Sequence, residues 1–243
     1  MTMGPVFAAG SLRQAFGAIA GLWRASGGGP VETVFGAAGL LRERIERGEA
    51  ADVFASADLH QPRRLVARAG WSEPVVFARN ALCAIVAPHV AADSGRLLDA
   101  LLDDRVRVGM STPGCDPSGD YALAMFARAG ALSPGAGDRL AKKALRLTGS
   151  PQSPKGPPGR GTYSWIMESG QADAFITYRS NAMACCREWP KARLVELPPA
   201  LQVSVEYGLS VRSGAPAGAR RFAEFLREAS AQAMLARFGF GVA

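Results

Sequence analysis

The feature that most restricts the fold lies near the start of the chain, where an apolar segment gives way abruptly to a helical pattern. Residues 6–9 read Val-Phe-Ala-Ala, Gly10 and Ser11 follow, and apolar residues then recur every three or four positions from Leu12 to Trp23. This order predicts a buried strand, a tight turn and an amphipathic helix, with Ser11 as a natural N-cap. Because a helix N-terminus exposes unpaired N–H groups and positive dipole charge, the turn is a candidate oxyanion site. The alternative is that Ser11 only caps the helix.

The same order of strand, turn and helix recurs further along the chain. Residues 31–35 read as a second strand, followed by the small-residue turn 36–39 and another helix. A third short strand begins near Ala51 and ends in the polar turn 56–58. Alternating strands and helices with short loops predict a parallel, doubly wound sheet, which binds ligands at the carboxyl ends of its strands. We therefore expect these turns and that of Ser11 to lie along one edge.

The second half of the chain repeats these signals. The run 82–87 marks where the chain is expected to enter a second sheet, and the extended run 203–211 where it returns to the first lobe. Between them a strand over 106–111 leads into a polar turn and a helix that opens near Ser118. Another buried strand is predicted to end at Tyr178. The Ser-, Pro- and Gly-rich residues 148–161 read as a loop.

Composition indicates a globular, soluble chain that can bury a sizeable core. Of its 243 residues, 48% are hydrophobic and 20% are charged. No apolar run approaches the roughly 20 residues needed to cross a bilayer, so no direct membrane insertion is expected. Residues 1–5 lead straight into the first strand, without the basic and apolar regions of a secretory signal. We expect a periplasmic or extracytoplasmic protein if a signal sequence was removed, and a cytoplasmic one if Met1 is the native start.

The charge balance favours anionic partners, because the net charge is +7 and the isoelectric point is near 9.7. The basic residues are scattered and interleaved with acidic ones, as on an ordinary solvated surface. No basic and aromatic stripe, zinc knuckle or helix-turn-helix pattern accompanies them. The sequence therefore does not favour nucleic-acid binding.

Cysteine and histidine spacing gives no sign of a metal site. Cys83 fits a buried free thiol in a strand, and the adjacent Cys185 and Cys186 do not form a zinc motif. A bridge from Cys115 to Cys185 or to Cys186 stays open for an oxidising compartment. The two histidines are isolated, and no nucleophile is paired with a base, so an enzyme is not predicted.

Six motifs occur together in an order typical of one family. They are residues 8–12 (AAGSL), 35–40 (FGAAGL), 51–58 (ADVFASAD), 77–80 (FARN), 117–122 (PSGDYA) and 237–240 (RFGF). Over essentially its whole length the chain resembles the molybdate-binding proteins of ABC transporters, which are type II periplasmic solute-binding proteins. This resemblance implies an α/β fold of two lobes, each a doubly wound sheet flanked by helices, with the ligand cleft between the lobes. Lobe 1 would comprise 1–79 and 208–243 and lobe 2 80–207, with crossovers near 78–82 and 203–209.

The resemblance also implies the activity and the ligand set. The chain would capture molybdate or tungstate for an ABC transporter permease, as a monomer, without catalysis, and with no cofactor and no metal except that of the oxyanion. In this family neutral hydroxyl and N–H groups hold the anion. Carried over by motif, the ligand-binding residues are Ser11 (hydroxyl and N–H), Ala38 (N–H), Ser118 (N–H), Tyr178 (phenol) and the Arg160–Gly161 segment (N–H).

One departure from the family concerns the second turn, which usually carries a serine and here carries Ala38. A hydroxyl bond to a charged ligand contributes about 1.5–3 kcal/mol, so its loss is expected to weaken binding unless another group replaces it. Arg160 is a candidate replacement, since a guanidinium suits oxyanions. The alternatives are an ordinary loop arginine at 160, a helix cap at Ser118 and a core tyrosine at Tyr178.

Two other functions fit the same resemblance. One is an intracellular oxyanion sensor. The other is a binding protein for a different oxyanion, sulfate or phosphate. Phosphate carries a proton at neutral pH and favours a carboxylate acceptor, for which Asp58 and Asp120 are candidates, although helix-cap or surface roles suit both residues.

Overall fold

The computed structural model describes residues 3–68 and 70–242, which divide into two units. Unit 1 combines the chain up to Asn80 with the part that begins at Val205, and unit 2 is Ala81–Ser204. The sequence predicts these transitions at 79/80 and 207/208, so the first differs by one residue and the second by three. The second differs because Val205 already pairs with Asn80, and Tyr207 with Ala78, in the sheet of unit 1.

The helices and strands follow the chain in a regular alternation. Before the first transition they are β1 (Val6–Ala9), α1 (Arg13–Ala25), β2 (Thr33–Gly36), α2 (Ala38–Glu46), β3 (Val53–Ser56), α3 (His60–Val66) and β4 (Val75–Asn80). Unit 2 contains β5 (Leu82–Val86), α4 (Leu97–Leu102), β6 (Val108–Ser111), α5 (Pro117–Leu132), α6 (Ala136–Lys143), β7 (Leu145–Thr148), α7 (Thr162–Glu168), β8 (Ala174–Tyr178), α8 (Arg179–Glu188) and β9 (Arg193–Glu196). Unit 1 is completed by β10 (Val205–Val211), α9 (Ala217–Phe225) and α10 (Ala229–Arg237).

The sheet of unit 1 has the strand order β2-β1-β3-β10-β4. β1 runs parallel to β2 and β3, and Ala9 lies opposite Gly36, so the turns after these strands leave the same edge of the sheet. The sequence predicted an all-parallel sheet, but β10 is antiparallel to both β3 and β4. The chain leaves the unit at the end of β4 and re-enters at the start of β10 beside it, so the two strands run in opposite directions.

The sheet of unit 2 has the order β7-β6-β8-β5-β9 and is also mixed. β6 is parallel to β7 and β8, whereas β5 is antiparallel to β8 and β9. The carboxyl ends of the three parallel strands, at Ser111, Thr148 and Tyr178, therefore share one edge. The helices α5 and α8 begin soon after Ser111 and Tyr178, at Pro117 and Arg179, so this edge collects both polar side chains and helix N-termini.

The cores of both units are apolar. In unit 1, Phe16 and Trp23 of α1 pack edge-on against Phe222 of α9. In unit 2, the apolar core includes Cys83 and Phe175. No helix within the described residues is long and apolar enough to span a bilayer.

Candidate functional site

The turn after β1 places Ser11 differently from the N-cap that its sequence predicts. Residues Gly10–Leu12 form a short 3-10 turn, and α1 begins at Arg13 with Leu12 as N-cap and no side-chain cap. The predicted capping role of Ser11 is therefore wrong, because the 3-10 turn moves the N-cap one residue on, from Ser11 to Leu12. The Ser11 hydroxyl instead lies 2.8 Å from the phenol oxygen of Tyr207.

Tyr207 and Asn80 join Ser11 in what we call the Ser11 cluster, and sequence reasoning missed both. Tyr207 lies in β10 and is fully buried, and the Asn80 side-chain amide at the end of β4 donates to its phenol oxygen across 3.4 Å. Ser11 and Tyr207 are 196 residues apart in sequence. The sequence does predict that the 203–211 strand returns to the first lobe. It does not specify the neighbouring strand, so it could not place Tyr207 beside Ser11.

The second turn of unit 1 offers only backbone donors. Ala38 is the first residue of α2 and is buried, and the N-cap Ala37 makes no side-chain cap bond. The first N–H groups of a helix have no acceptor within the helix and point along its axis. The α2 N-terminus thus presents backbone N–H groups at Ala38, and the side chain there supplies no hydroxyl.

The carboxylates considered as phosphate acceptors make local bonds. Asp58 accepts from the Ser56 hydroxyl across 2.8 Å and from the Gln61 N–H across 3.0 Å, which caps α3. Asp120 accepts from the Gly114 N–H across 3.0 Å. Both carboxylates therefore accept bonds from local backbone N–H groups, whereas the sequence offered helix-cap or surface roles as the alternatives to ligand binding.

In unit 2, Ser118 is the second residue of α5. Its N–H, the donor that the resemblance assigned to a ligand, is bonded to the N-cap carboxylate of Asp116 across 3.1 Å. Its hydroxyl is buried and has no hydrogen-bond partner among residues 3–68 and 70–242. An unsatisfied buried hydroxyl costs about 1–3 kcal/mol, so this group is a candidate hydrogen-bond donor to a ligand or to water.

Gly119 sets how closely α5 approaches the end of β6. A Cβ at this position would lie 2.6 Å from the Ser111 carbonyl oxygen and 2.6 Å from the Pro113 nitrogen. Only glycine allows this contact, which fixes the N-terminus of α5 against the turn that precedes it.

Tyr178 ends β8 and is 2% exposed. Its ring packs edge-on against Tyr121 of α5, with centroids 6.3 Å apart. Tyr121 follows Ser118 by three residues and so lies on the same side of α5. Two of the predicted ligand residues, Ser118 and Tyr178, thus lie at the same edge of the unit 2 sheet.

The Arg160–Gly161 segment contacts a protein carboxylate. The Gly161 N–H lies 3.1 Å from both carboxylate oxygens of Glu188, and the Ser164 hydroxyl donates to that group across 2.9 Å. Arg160 is exposed and forms ion pairs with Glu168 and Glu188. Both residues of the segment that the resemblance assigned to an oxyanion thus contact the Glu188 carboxylate in this structure.

A network of neutral side chains lies behind this edge of unit 2, and the sequence analysis did not anticipate it. The Asn181 amide donates to the Tyr163 phenol and to the Thr177 hydroxyl, both across 3.0 Å, and Ser111 and Thr148 share a bond of 2.7 Å. Burial, reinforced by the charge of Asp116, raises the pKa of Tyr163 to about 12. The phenol is therefore uncharged at physiological pH.

The four cysteines lie within the described residues and form no disulfide bond. All four are free thiols, so neither bridge from Cys115 is present. Burial raises the pKa of Cys185 to about 12 and that of Cys83 well above its ordinary value, which disfavours the reactive thiolate. Across the described part of the chain, no three His, Cys, Asp or Glu residues form a group that could hold a metal ion.

Comparison with known proteins agrees with this architecture. The model of the family described as bacterial extracellular solute-binding protein matches residues 5–241. The chain belongs to this family. It is 39% identical over 210 residues to the uncharacterized protein PM1146 of Pasteurella multocida (strain Pm70), covering 84% of this chain and 85% of that relative.

A second relative and a solved structure extend this comparison. Molybdate-binding protein ModA of Mycobacterium tuberculosis (strain ATCC 25618 / H37Rv) is 30% identical over 240 residues, which are 97% of this chain and 83% of ModA. The structure of the sulfate-binding protein SubI from the same organism superposes with a TM-score of 0.79 at 21% identity, covering 99% of this chain and 86% of SubI. The predicted resemblance to molybdate-binding proteins and the predicted α/β fold class of type II periplasmic binding proteins are confirmed, with mixed sheets in place of parallel ones.

Proposed function

We propose that this solute-binding protein captures a tetrahedral oxyanion, molybdate or tungstate, outside the cytoplasm and delivers it as a monomer to an ABC transporter permease. The observation that carries the proposal is the Ser118 hydroxyl, buried at the N-terminus of the 16-residue helix α5 without a hydrogen-bond partner in the described chain. The molybdate-binding relative of Mycobacterium tuberculosis, 30% identical to this chain, supports the same class of ligand. No covalent step and no cofactor are proposed.

The proposed donors are neutral. In unit 1 they are the Ser11 hydroxyl and the first N–H groups of α2 at Ala38, and in unit 2 they are the hydroxyl groups of Ser118 and Tyr178. Molybdate, tungstate and sulfate carry no proton at neutral pH and only accept hydrogen bonds, so a set of donors suits all three. Monohydrogen phosphate also needs an acceptor, and the candidates Asp58 and Asp120 accept hydrogen bonds from local backbone N–H groups.

We propose the Ser118 hydroxyl as a donor in place of the serine that is missing at Ala38. We leave Arg160 and Gly161 out of the donor set, because both contact Glu188. A hydroxyl at position 118 would restore the lost hydrogen bond from a different turn, contributing about 1.5–3 kcal/mol to the binding of a charged ligand. Discrimination between molybdate and sulfate would then depend on how well these fixed donors fit the longer metal–oxygen bonds.

The test is calorimetric titration of the purified protein with molybdate, tungstate, sulfate and phosphate. We expect one molybdate or tungstate per chain, weaker sulfate binding and no phosphate binding. Ser11→Ala, Ser118→Ala and Tyr178→Phe should each weaken molybdate binding, whereas Ser169→Ala, which removes an exposed hydroxyl bonded to the Trp165 carbonyl, should not. Flat heats with all four anions would refute the proposal, and tight sulfate binding without molybdate binding would replace molybdate by sulfate.

A further inference from the structure

The Ser11 cluster brings together three segments of unit 1 that are distant in sequence. Ser11 follows β1, Asn80 ends β4 and Tyr207 lies within β10. The phenol oxygen of Tyr207 is 2.8 Å from the Ser11 hydroxyl and 3.4 Å from the Asn80 amide nitrogen. The phenol therefore connects the end of one strand to the turn that carries a proposed ligand donor.

The ring of Tyr207 is held in place by packing. It is fully buried, and Phe77 and Phe240 contact it edge-on with centroids 6.3 Å and 5.4 Å away. The backbone of Tyr207 pairs with Ala78 in the sheet. Because packing and strand pairing fix the Tyr207 ring, the position of its phenol oxygen is fixed as well. The contact therefore sets the orientation of the Ser11 hydroxyl.

The chemistry of the three groups gives the hydrogen bonds a direction. An amide nitrogen only donates, so Asn80 donates to the Tyr207 oxygen. A phenol has one proton, and donating it to Ser11 leaves the serine proton available for another acceptor. In the opposite direction, Ser11 would donate its only proton to the Tyr207 oxygen and would have none left for an anion. Because a deprotonated oxyanion only accepts, its binding favours the order Asn80 to Tyr207 to Ser11 to anion, in which each bond polarises the next.

We propose that Tyr207 is a positioning residue that directs the Ser11 hydroxyl proton toward the bound anion. This inference rests on the proposed function and adds a residue outside the predicted ligand set. Tyr207 acts through Ser11 and makes no contact with the ligand itself. Its removal should therefore cost affinity only while the Ser11 hydroxyl is present.

The experiment is a double-mutant cycle on molybdate affinity, measured by calorimetry with wild type, Ser11→Ala, Tyr207→Phe and the double variant. Tyr207→Phe keeps the packed ring and removes only the oxygen. We expect it to weaken binding by about fivefold to tenfold, the effect of one neutral hydrogen bond. In the Ser11→Ala background the same change should alter affinity by less than about twofold, as the coupling of contacting residues requires. A purely structural role would give the same loss in both backgrounds.

Ser210→Ala is the matched control, because it removes another buried hydroxyl from β10, one bonded to the Ser72 carbonyl. It should leave affinity unchanged, and thermal melts should show every variant folded at the titration temperature. Wild-type affinity in Tyr207→Phe, or equal losses in both backgrounds, would overturn the inference while leaving the proposed function intact. If wild type binds sulfate and no molybdate, the cycle is run with sulfate. If it binds no oxyanion, the proposed function fails, and this inference fails with it.

Discussion

The Asp116 carboxylate accepts a hydrogen bond from the Ser118 N–H across 3.1 Å, while the hydroxyl of the same serine is buried without a partner in the described structure. The backbone N–H of Ser118 is thus hydrogen-bonded within the described residues, and its hydroxyl is not. The backbone group is satisfied by an N-cap within the protein, as at most well-capped helices. The side-chain group is satisfied by nothing in residues 3–68 and 70–242, and that contrast makes the hydroxyl the donor to test.

Ser118→Ala should lower oxyanion affinity and leave the free protein at least as stable as wild type. The loss of a hydrogen bond to a charged ligand corresponds to roughly tenfold to a hundredfold weaker binding. Removing an unsatisfied buried hydroxyl relieves a desolvation cost, so the free energy of unfolding should not fall. Calorimetry and urea unfolding without ligand measure the two effects.

Ser111→Ala is the control for Ser118→Ala, because its buried hydroxyl is bonded to Thr148 across 2.7 Å. It leaves Thr148 without that partner and should reduce stability by about 1 kcal/mol. An unchanged affinity in Ser118→Ala would contradict the assignment of this hydroxyl as a ligand donor.

Ala38→Ser should tighten oxyanion binding by up to about tenfold, because it adds a hydroxyl where α2 already presents its first N–H groups. The matched variant is Ala37→Ser, which places a hydroxyl on the N-cap. An N-cap serine bonds to the helix's own N–H groups and stabilises the protein by about 0.5–2 kcal/mol. It should therefore raise the melting temperature without tightening binding, and equal affinity gains in both variants would refute the interpretation.

Arg160→Gln should change oxyanion affinity by less than about twofold, because Arg160 forms ion pairs with Glu168 and Glu188. These ion pairs lie near the surface, so the expected loss of stability is small, about 0–1 kcal/mol. Titration at low and at moderate salt measures the effect. A tenfold loss of affinity would return Arg160 to the ligand set and show that anion binding displaces its carboxylate partners.

Local patterns in the sequence were sufficient to predict the strand, turn and helix order. Apolar runs and helical spacing identify β1, β3 and β6 and the helices after them, since each signal lies within a few adjacent residues. The strand β7 escaped prediction because its Leu-Arg-Leu-Thr alternation spans only four residues, of which Leu145 and Arg146 are exposed. The direction of β10 was also missed, because it depends on which strand the returning chain joins.

The candidate site was predictable where a donor belongs to a turn and unpredictable where it depends on distant contacts. Ser11, Ala38 and Ser118 lie at turns that the pattern located. The bond between Ser11 and Tyr207 joins residues 196 apart, and no local spacing encodes it. Glu188 belongs to none of the motifs in the sequence, so its contact with Gly161 needed the tertiary structure.

Tyr163→Phe should reduce the sensitivity of the protein to alkali. The pKa of Tyr163 is about 12 in the folded protein against an ordinary value of 10.0, so between these pH values the unfolded state binds fewer protons. The free energy of unfolding therefore falls as pH rises from about 10 to about 12, and is unaffected by this group below pH 10. The variant should show a shallower decline, measured by urea unfolding at several pH values. The Cys185 thiol, with a pKa of about 12, contributes equally to both proteins and cancels in the comparison.

Gly119→Ala should destabilise the protein and weaken anion binding together, because the new Cβ would lie 2.6 Å from backbone atoms of Ser111 and Pro113 that cannot move aside cheaply. The strain shifts the N-terminus of α5, which carries Ser118, and a loss of at least about 2 kcal/mol in stability is expected.

Gly17→Ala is the matched control, since its Cβ on α1 would meet no other atom within 4 Å. That change should stabilise the protein by about 0.5–1 kcal/mol through helix propensity and leave affinity unchanged. Chemical unfolding and molybdate titration of both variants decide the matter, and a Gly119→Ala protein as stable as wild type would show that α5 does not depend on this close approach.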